Sequence, residues 1–188
     1  MNLHHDAFSS GQVLSKIWLA EELEKAVTAV SNNQPLKILC LGGWYGILNF
    51  ILRARNNLNI ELYRSVDIDD ETETLADTVN NSWVWQEWQF KALIADANTL
   101  VYTSNDYNTV INTSVEHIPS KQWFDNIPLG TLVVLQSNNM IHDDHCHNHT
   151  SVGQLSSEFV LTTVLFTGEK SFVYPDWGFT RFMIIGIK

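Results

Sequence analysis

The sequence is short of basic residues, of cysteine and of long apolar runs, and each shortage closes off a reading. Lys and Arg number 11 against 21 Asp and Glu, for a net charge of −10, and no basic run offsets this locally. Contact with nucleic-acid phosphates depends mainly on basic surface, so a nucleic-acid substrate is disfavoured. The two cysteines, Cys40 in an apolar run and Cys146 in a histidine-rich stretch, provide no disulfide framework. No apolar run reaches the length of a membrane span. The opening residues carry His4, His5 and Asp6 where a secretory leader has basic residues and then an apolar stretch. The expectation is a cytoplasmic protein with no membrane partner. Repeats, low-complexity tracts and linkers are also missing, and 188 residues suit one domain. Nothing fixes an oligomeric state.

What is present is an alternation of apolar runs with helical spacings. Val13, Ile17, Ala20, Leu23, Val27 and Val30 form one face of a helix over 13–31, which Asn32, Asn33, Gln34 and Pro35 end. LKILCL, from Leu36 to Leu41, reads as a buried parallel strand bounded by Pro35 and Gly42-Gly43. A helix from Gly46 stops at Asn56-Asn57, and a strand over Leu62–Ile68 runs into an acidic group that opens a helix from Glu71 to Asn80. Phe90–Ala95, Tyr107–Asn112 and Thr131–Gln136 give three more strands, whose order with the connecting segments predicts a parallel sheet with right-handed crossovers. Phe159–Thr167 and Phe182–Ile187 follow without a clear helix between them, which predicts antiparallel pairing at one edge. Trp83, Trp85 and Trp88 are expected to pack beneath a neighbouring helix. The expected fold is an α/β three-layer Rossmann-like sandwich on a mostly parallel seven-stranded sheet. It divides into an N-terminal helical cap (1–35), a cofactor-binding core (36–137), and an acceptor-side loop with the last strands (138–188).

The chemistry gathers where strands end. The first strand runs into Gly42-Gly43-Trp44-Tyr45-Gly46 and then a helix, so glycines stand where a ligand lies across the sheet's C-terminal edge. Asp67 ends the second strand, where a carboxylate can accept hydrogen bonds from both hydroxyls of a ribose. A dinucleotide site needs the pattern GxGxxG so that backbone amides approach a pyrophosphate; here Trp44 occupies the middle position. That points to a nucleoside cofactor without phosphates, and no lysine follows in P-loop spacing.

The segments ILCLGGWYG, SVDIDDE, IADANTL and YNTVINTSVEHI, in that order and spacing, resemble the successive motifs of class I S-adenosylmethionine-dependent methyltransferases. The resemblance spans roughly residues 36–137 and implies S-adenosylmethionine as cofactor. It implies that Gly42, Trp44, Tyr45 and Gly46 lie at the cofactor's methionine part, that Asp67 holds the ribose and that Ile68 packs on the adenine. Asp96 and Ala97 match the position that meets the adenine's amino edge, and Asn112 and Thr113 match residues lining the methyl-donor site. Cys40 stands where the family often has an acid, Trp44 where it often has glycine, and Asn108 replaces an aspartate that tends to be structural.

The acceptor side offers histidines. His117, after Glu116, follows the fourth strand at the ligand edge and can serve as base toward an acceptor hydroxyl or amine. His145 or His147, in the loop after the fifth strand, can contact substrate. The run His142 to His149 has metal-ligand chemistry, but neighbours in one loop rarely all converge, so no metal site is assigned. With no separate recognition domain, a small-molecule acceptor is expected. Two other readings remain open, a nicotinamide-dependent oxidoreductase and a noncatalytic nucleoside-binding module.

Overall fold

LKILCL forms the central strand because nearly every residue in it is apolar, which suits a strand covered on both faces. The computed structural model describes residues 4–30, 34–86 and 88–188. Its strands are β1 (Leu36–Leu41), β2 (Ile60–Asp67), β3 (Phe90–Ile94), β4 (Thr109–Asn112), β5 (Leu132–Asn138), β6 (Thr163–Val173) and β7 (Gly178–Ile187). The helices are α1 (Ser10–Ala29), α2 (Ile47–Arg55), α3 (Thr72–Val79), the short α4 (Asn81–Val84) and α5 (Gln122–Asp125), and α6 (Val152–Glu158). Sheet order is β3-β2-β1-β4-β5-β7-β6. β1 to β5 pair in parallel, and β7 runs antiparallel to both β5 and β6. The antiparallel strand is therefore one place in from the edge, which β6 occupies.

Successive residues of β1 feed two separate cores. Ile38 and Cys40 face one built with Leu19, Leu23, Leu48 and Leu52 of α1 and α2; Leu39 and Leu41 face the other, with Trp123, Phe124 and Phe159. Helices thus cover both faces, as the expected three layers require. Asn56 ends α2 in a left-handed conformation (φ 53°), which asparagine tolerates, as the Asn56-Asn57 stop anticipates. Asn108 has the structural task foreseen for it: its side chain accepts from the Lys37 N–H and donates to the Pro35 carbonyl, each at 2.9 Å, pinning the start of β1.

Several expectations shift. Asn32 and Asn33, in the expected helix stop, lie outside the described residues. The buried face of α1 is rotated from the expected stripe, with Ser15, Lys16, Trp18 and Leu19 buried while Val13 and Ile17 are only half-buried. The sixth strand begins at Thr163 rather than Phe159, because α6 takes up 152–158 and Phe159 closes it inside the second core. Of the three tryptophans only Trp83 packs on the core; Trp85 and Trp88 are exposed.

Candidate functional site

The strand order reverses between β1 and β4, and at such a switch point the connections leave in opposite directions and open a crevice beyond the strands' C-terminal ends. A cleft of about 690 Å³ lies there, within the roughly 300–1,000 Å³ of small-molecule sites. Gly42, Trp44, Asp67, Ile68, Asp96, Ala97, Thr113, His117 and His145 all line it. Tyr45, Gly46 and Asn112 do not reach its wall. Tyr45 is buried with Ala7, Ile47 and Leu75; Gly46 sits against Asn80 and Phe90; Asn112 is fully buried, accepting the Ser114 N–H. A smaller hollow of about 240 Å³ at the opposite ends of β1, β4 and β5, among Leu36, Asn108, Thr109 and Leu132, brings together none of these residues.

The turn after β1 is held open by main-chain geometry. Gly42 has φ +62°, and a Cβ there would stand 2.6 Å from that of Ser114, so only glycine fits. Trp44 is also left-handed, at φ 47°, an unusual conformation for a bulky residue. Its N–H donates to Asp67 Oδ2 at 2.9 Å, while Oδ1 accepts from the Asp69 N–H at 3.2 Å. Two bonds occupy about half of a carboxylate's four or so lone-pair sites, leaving acceptor capacity on the cleft side. Burial raises the Asp67 pKa, and the backbone N–H groups of Asp69 and Trp44 act against that. Beside it Ile68 is 72% exposed, an apolar wall between two acids. Asp96 caps its own turn, accepting the Asn98 N–H at 2.9 Å.

The opposite wall is charged. Glu116 is 2% exposed; its Oε1 accepts from Arg181 Nη1 at 3.3 Å and from the Asn138 side-chain amide, while Oε2 finds no partner among the described residues. His117 Nδ1 lies 3.2 Å from the Asp144 carbonyl, and His145 Nδ1 lies 2.8 Å from the Met140 carbonyl and 2.7 Å from Asn148 Oδ1. A carbonyl only accepts, so each imidazole presents a proton on Nδ1, and in the neutral ring the lone pair is then on Nε2. The two rings meet edge to face with centroids 4.7 Å apart.

The other loop histidines separate. His147 does not line the cleft, and His149 is buried, bonded to Ser137 Oγ at 2.7 Å and to Glu158 Oε2 at 3.0 Å, a clamp between β5 and α6. Sequence reasoning missed Asp6, Gln12, Ser114 and Arg181, which line the cleft together with Lys16 of the N-terminal helix. Lys16 is buried on α1 with Nζ donating to Gln12 Oε1 at 2.7 Å; burial, and then Arg181, lower its pKa to about 7. A lysine within the buried stretch of α1, beside Ser15 and Trp18, is the one signal that pointed there. Cys40, at the place of the family's acid, is buried with its thiol pushed up to about 11, and so is uncharged.

No family model and no curated protein matches the chain. Solved structures do. Magnesium protoporphyrin IX methyltransferase from Synechocystis PCC 6803, crystallised with bound S-adenosylmethionine, is 13% identical over 90% of this chain and 79% of its own, with TM-score 0.62. The N-methyltransferase NodS from Bradyrhizobium japonicum WM9 is 10% identical over 90% of this chain and 94% of its own, also with TM-score 0.62. The YcgJ protein of a Bacillus is 9% identical over 89% and 98%, with TM-score 0.66. The fold is that of the class I S-adenosylmethionine-dependent methyltransferases.

Proposed function

We propose that a chain with this fold and this cleft binds S-adenosylmethionine and transfers its methyl group to a small-molecule acceptor. The observation that carries the reading is the linkage of Asp67 to the turn after β1. One buried-side carboxylate both fixes that turn, through the Trp44 N–H, and keeps free lone pairs for a pair of ribose hydroxyls. Exposed Ile68 supplies an apolar platform for a purine, Asp96 and Ala97 meet its edge, and Gly42 and Trp44 border the methionine part. Tyr45, Gly46 and Asn112 act from behind, holding the turn and the end of β4 in place. With Cys40 uncharged, Lys16, Arg181 and Asp6 are among the charged groups of the cleft available to the cofactor's amino-acid end.

When bound, S-adenosylmethionine supplies a methyl carbon whose bond to the cationic sulfur breaks, the electron pair leaving with sulfur, as the acceptor's lone pair forms the new bond. The protein's share is orientation of the two partners and removal of the acceptor's proton. His117 and His145, with Nδ1–H given to carbonyl oxygens, offer Nε2 as the base. Lys16, with its depressed pKa, is a second amine in range of neutral pH. A small acceptor suits a chain in which the loops after β4 and β5 and the N-terminal helix are the walls left to receive it. A nicotinamide cofactor is disfavoured by the indole at position 44 and by β7 lying between β5 and β6, where the dinucleotide fold has an uninterrupted parallel order.

The test is intrinsic tryptophan fluorescence titrated with S-adenosylmethionine, S-adenosylhomocysteine and NADH. Saturable responses to the first two and none to NADH are expected. Asp67→Ala should weaken both by at least about 100-fold, since hydrogen bonds to a charged group contribute about 1.5–3 kcal/mol each. Unchanged affinity in that variant, or a response to NADH alone, overturns the reading. Cofactor binding with no methylated product from a pool of small metabolites favours the noncatalytic module instead.

A further inference from the structure

We propose that Glu116, His117 and His145 form a binding site for a divalent transition-metal ion, with zinc as the ion that suits them best, on the acceptor wall of the cleft. A carboxylate oxygen of Glu116 and one ring nitrogen from each histidine lie within 4.8 Å of one another. Donors about 2.0–2.2 Å from a tetrahedral zinc are some 3.4 Å apart. The three must therefore close by little more than an ångström, and His117, exposed at the cleft mouth, has the freedom to do so.

Two independent features prepare these side chains as ligands. The first is the protonation pattern of the imidazoles: each donates Nδ1–H to a carbonyl oxygen, Asp144 for His117 and Met140 for His145. That is the outer-shell arrangement that fixes ring orientation and raises the basicity of the other nitrogen in histidine-metal sites. The second is Glu116. Its carboxylate is almost wholly buried, Oε1 is satisfied by Arg181 and Asn138, and Oε2 has no partner among the described residues. A buried carboxylate oxygen without a donor is costly, and a cation beside the two imidazoles relieves it. The donor set of two imidazoles and one carboxylate, with a coordination position left over, is that of catalytic zinc sites, and the redox-inert ion suits methyl transfer.

The remaining position faces substrate, and this part rests on the methyl-transfer reading above. An acceptor hydroxyl bound there loses its proton to bulk buffer because the ion lowers its pKa, and the resulting oxygen lone pair forms the bond to the methyl carbon while the carbon–sulfur pair goes to sulfur. The ion then replaces an imidazole base, because a lone pair engaged with metal does not accept a proton. The substrate class is accordingly a small alcohol, phenol or enol that can coordinate through oxygen.

The experiment is a zinc titration of the chelator-stripped full chain against a chromophoric chelator, without S-adenosylmethionine, repeated with cobalt to read the visible absorption of the bound ion. One equivalent should bind, with affinity at least 100-fold lower in His117→Ala and in His145→Ala and unchanged in His5→Ala. Glu116→Gln also removes the charge that partners Arg181, so the two histidine variants are the decisive ones. No stoichiometric binding, or binding that survives both substitutions, overturns the site. So does an ion lost on Cys146→Ser but kept in His117→Ala, which places it in the loop instead. Cofactor fluorescence on the zinc-free chain separates the two proposals: a response without zinc binding removes the metal alone, and zinc binding without a response removes the methyl-transfer reading alone.

Discussion

On the side of β1, β2 and β3 the cleft is walled by main chain and strand ends, with Gly42 in the turn and the Trp44 N–H held to Asp67 through one 2.9 Å hydrogen bond. On the side of β5 and β7 it is walled by side chains that meet from far apart in sequence: Glu116, Arg181, the loop histidines and, from α1, Lys16. The first wall is made by backbone conformation tied to one carboxylate, Asp67, and its other side chains are expected to tolerate change. The second depends on individual charged groups with few partners, so its tolerance to substitution is expected to be lower. On the methyl-transfer reading proposed above, a nucleoside cofactor would meet the first wall and the acceptor the second.

The largest effect is expected on the second wall. Arg181→Ala leaves the Glu116 carboxylate buried without its charge partner, and breaking a buried pair in this way costs about 3–5 kcal/mol. Urea unfolding should register a loss of that size. Hydrogen exchange should rise first in residues 139–150, whose backbone is tied to Glu116 through the Cys146 N–H, before it rises in the turn after β1. Equal loosening of both walls breaks the comparison.

How much of each wall was legible in the sequence follows from the same difference. Gly42, Asp67 and Asp96 were readable because strand, turn and acid are consecutive or nearly so, and the hydrophobic period says where each strand stops. Asn56 was readable for a similar local reason, and Asn108, whose partners lie 71 and 73 residues away, only through the family resemblance. Arg181 was not, because its partner Glu116 lies 65 residues away and only the antiparallel insertion of β7 beside β5 brings the two together. The histidines after β5 share one composition, yet His145 lines the cleft while His149 is sealed between Ser137 and Glu158. Which imidazole a fold buries is decided by α6, a helix the sequence pattern did not reveal. Tyr45 and Asn112 carried motif positions but turn inward, where burial of the ring and of the amide supports the turn and the strand end rather than lining the cleft.

A pH-dependent effect tests Lys16, the one charged group that the N-terminal helix brings to the cleft. Its native pKa of about 7 lies below its unfolded value of 10.5, chiefly through burial, with Arg181 adding to the shift and Cys40, Asp6 and Glu116 opposing it. Between these two values the unfolded chain binds more protons than the folded one, so this site makes stability rise with pH, by up to about 1.4 kcal/mol per unit. Below about pH 7 both states are protonated and the burial penalty is present in full. Lys16→Met should therefore stabilise the protein most near pH 6, and its advantage over the natural chain should shrink steadily through pH 8 and 9. A difference that stays flat across that range means the amine is solvated, and the second wall is then less closed than Lys16 suggests.

The smallest effect is expected at Trp44, and it bears most directly on whether the first wall is main chain. Trp44→Gly keeps the N–H that bonds Asp67 and relieves a left-handed conformation worth about 1–2 kcal/mol for a residue with a Cβ. It also removes the ring contact with Tyr45, at 5.3 Å between centroids, and adds glycine's backbone freedom to the unfolded chain, about 0.5–1 kcal/mol. These terms oppose one another, so the urea midpoint should move by no more than about 1 kcal/mol of equivalent stability, and S-adenosylhomocysteine affinity, measured by calorimetry, should change less than about tenfold. A loss beyond about 100-fold would mean that the indole itself grips the ligand, and the wall on the β1 side would then depend on a second side chain besides Asp67.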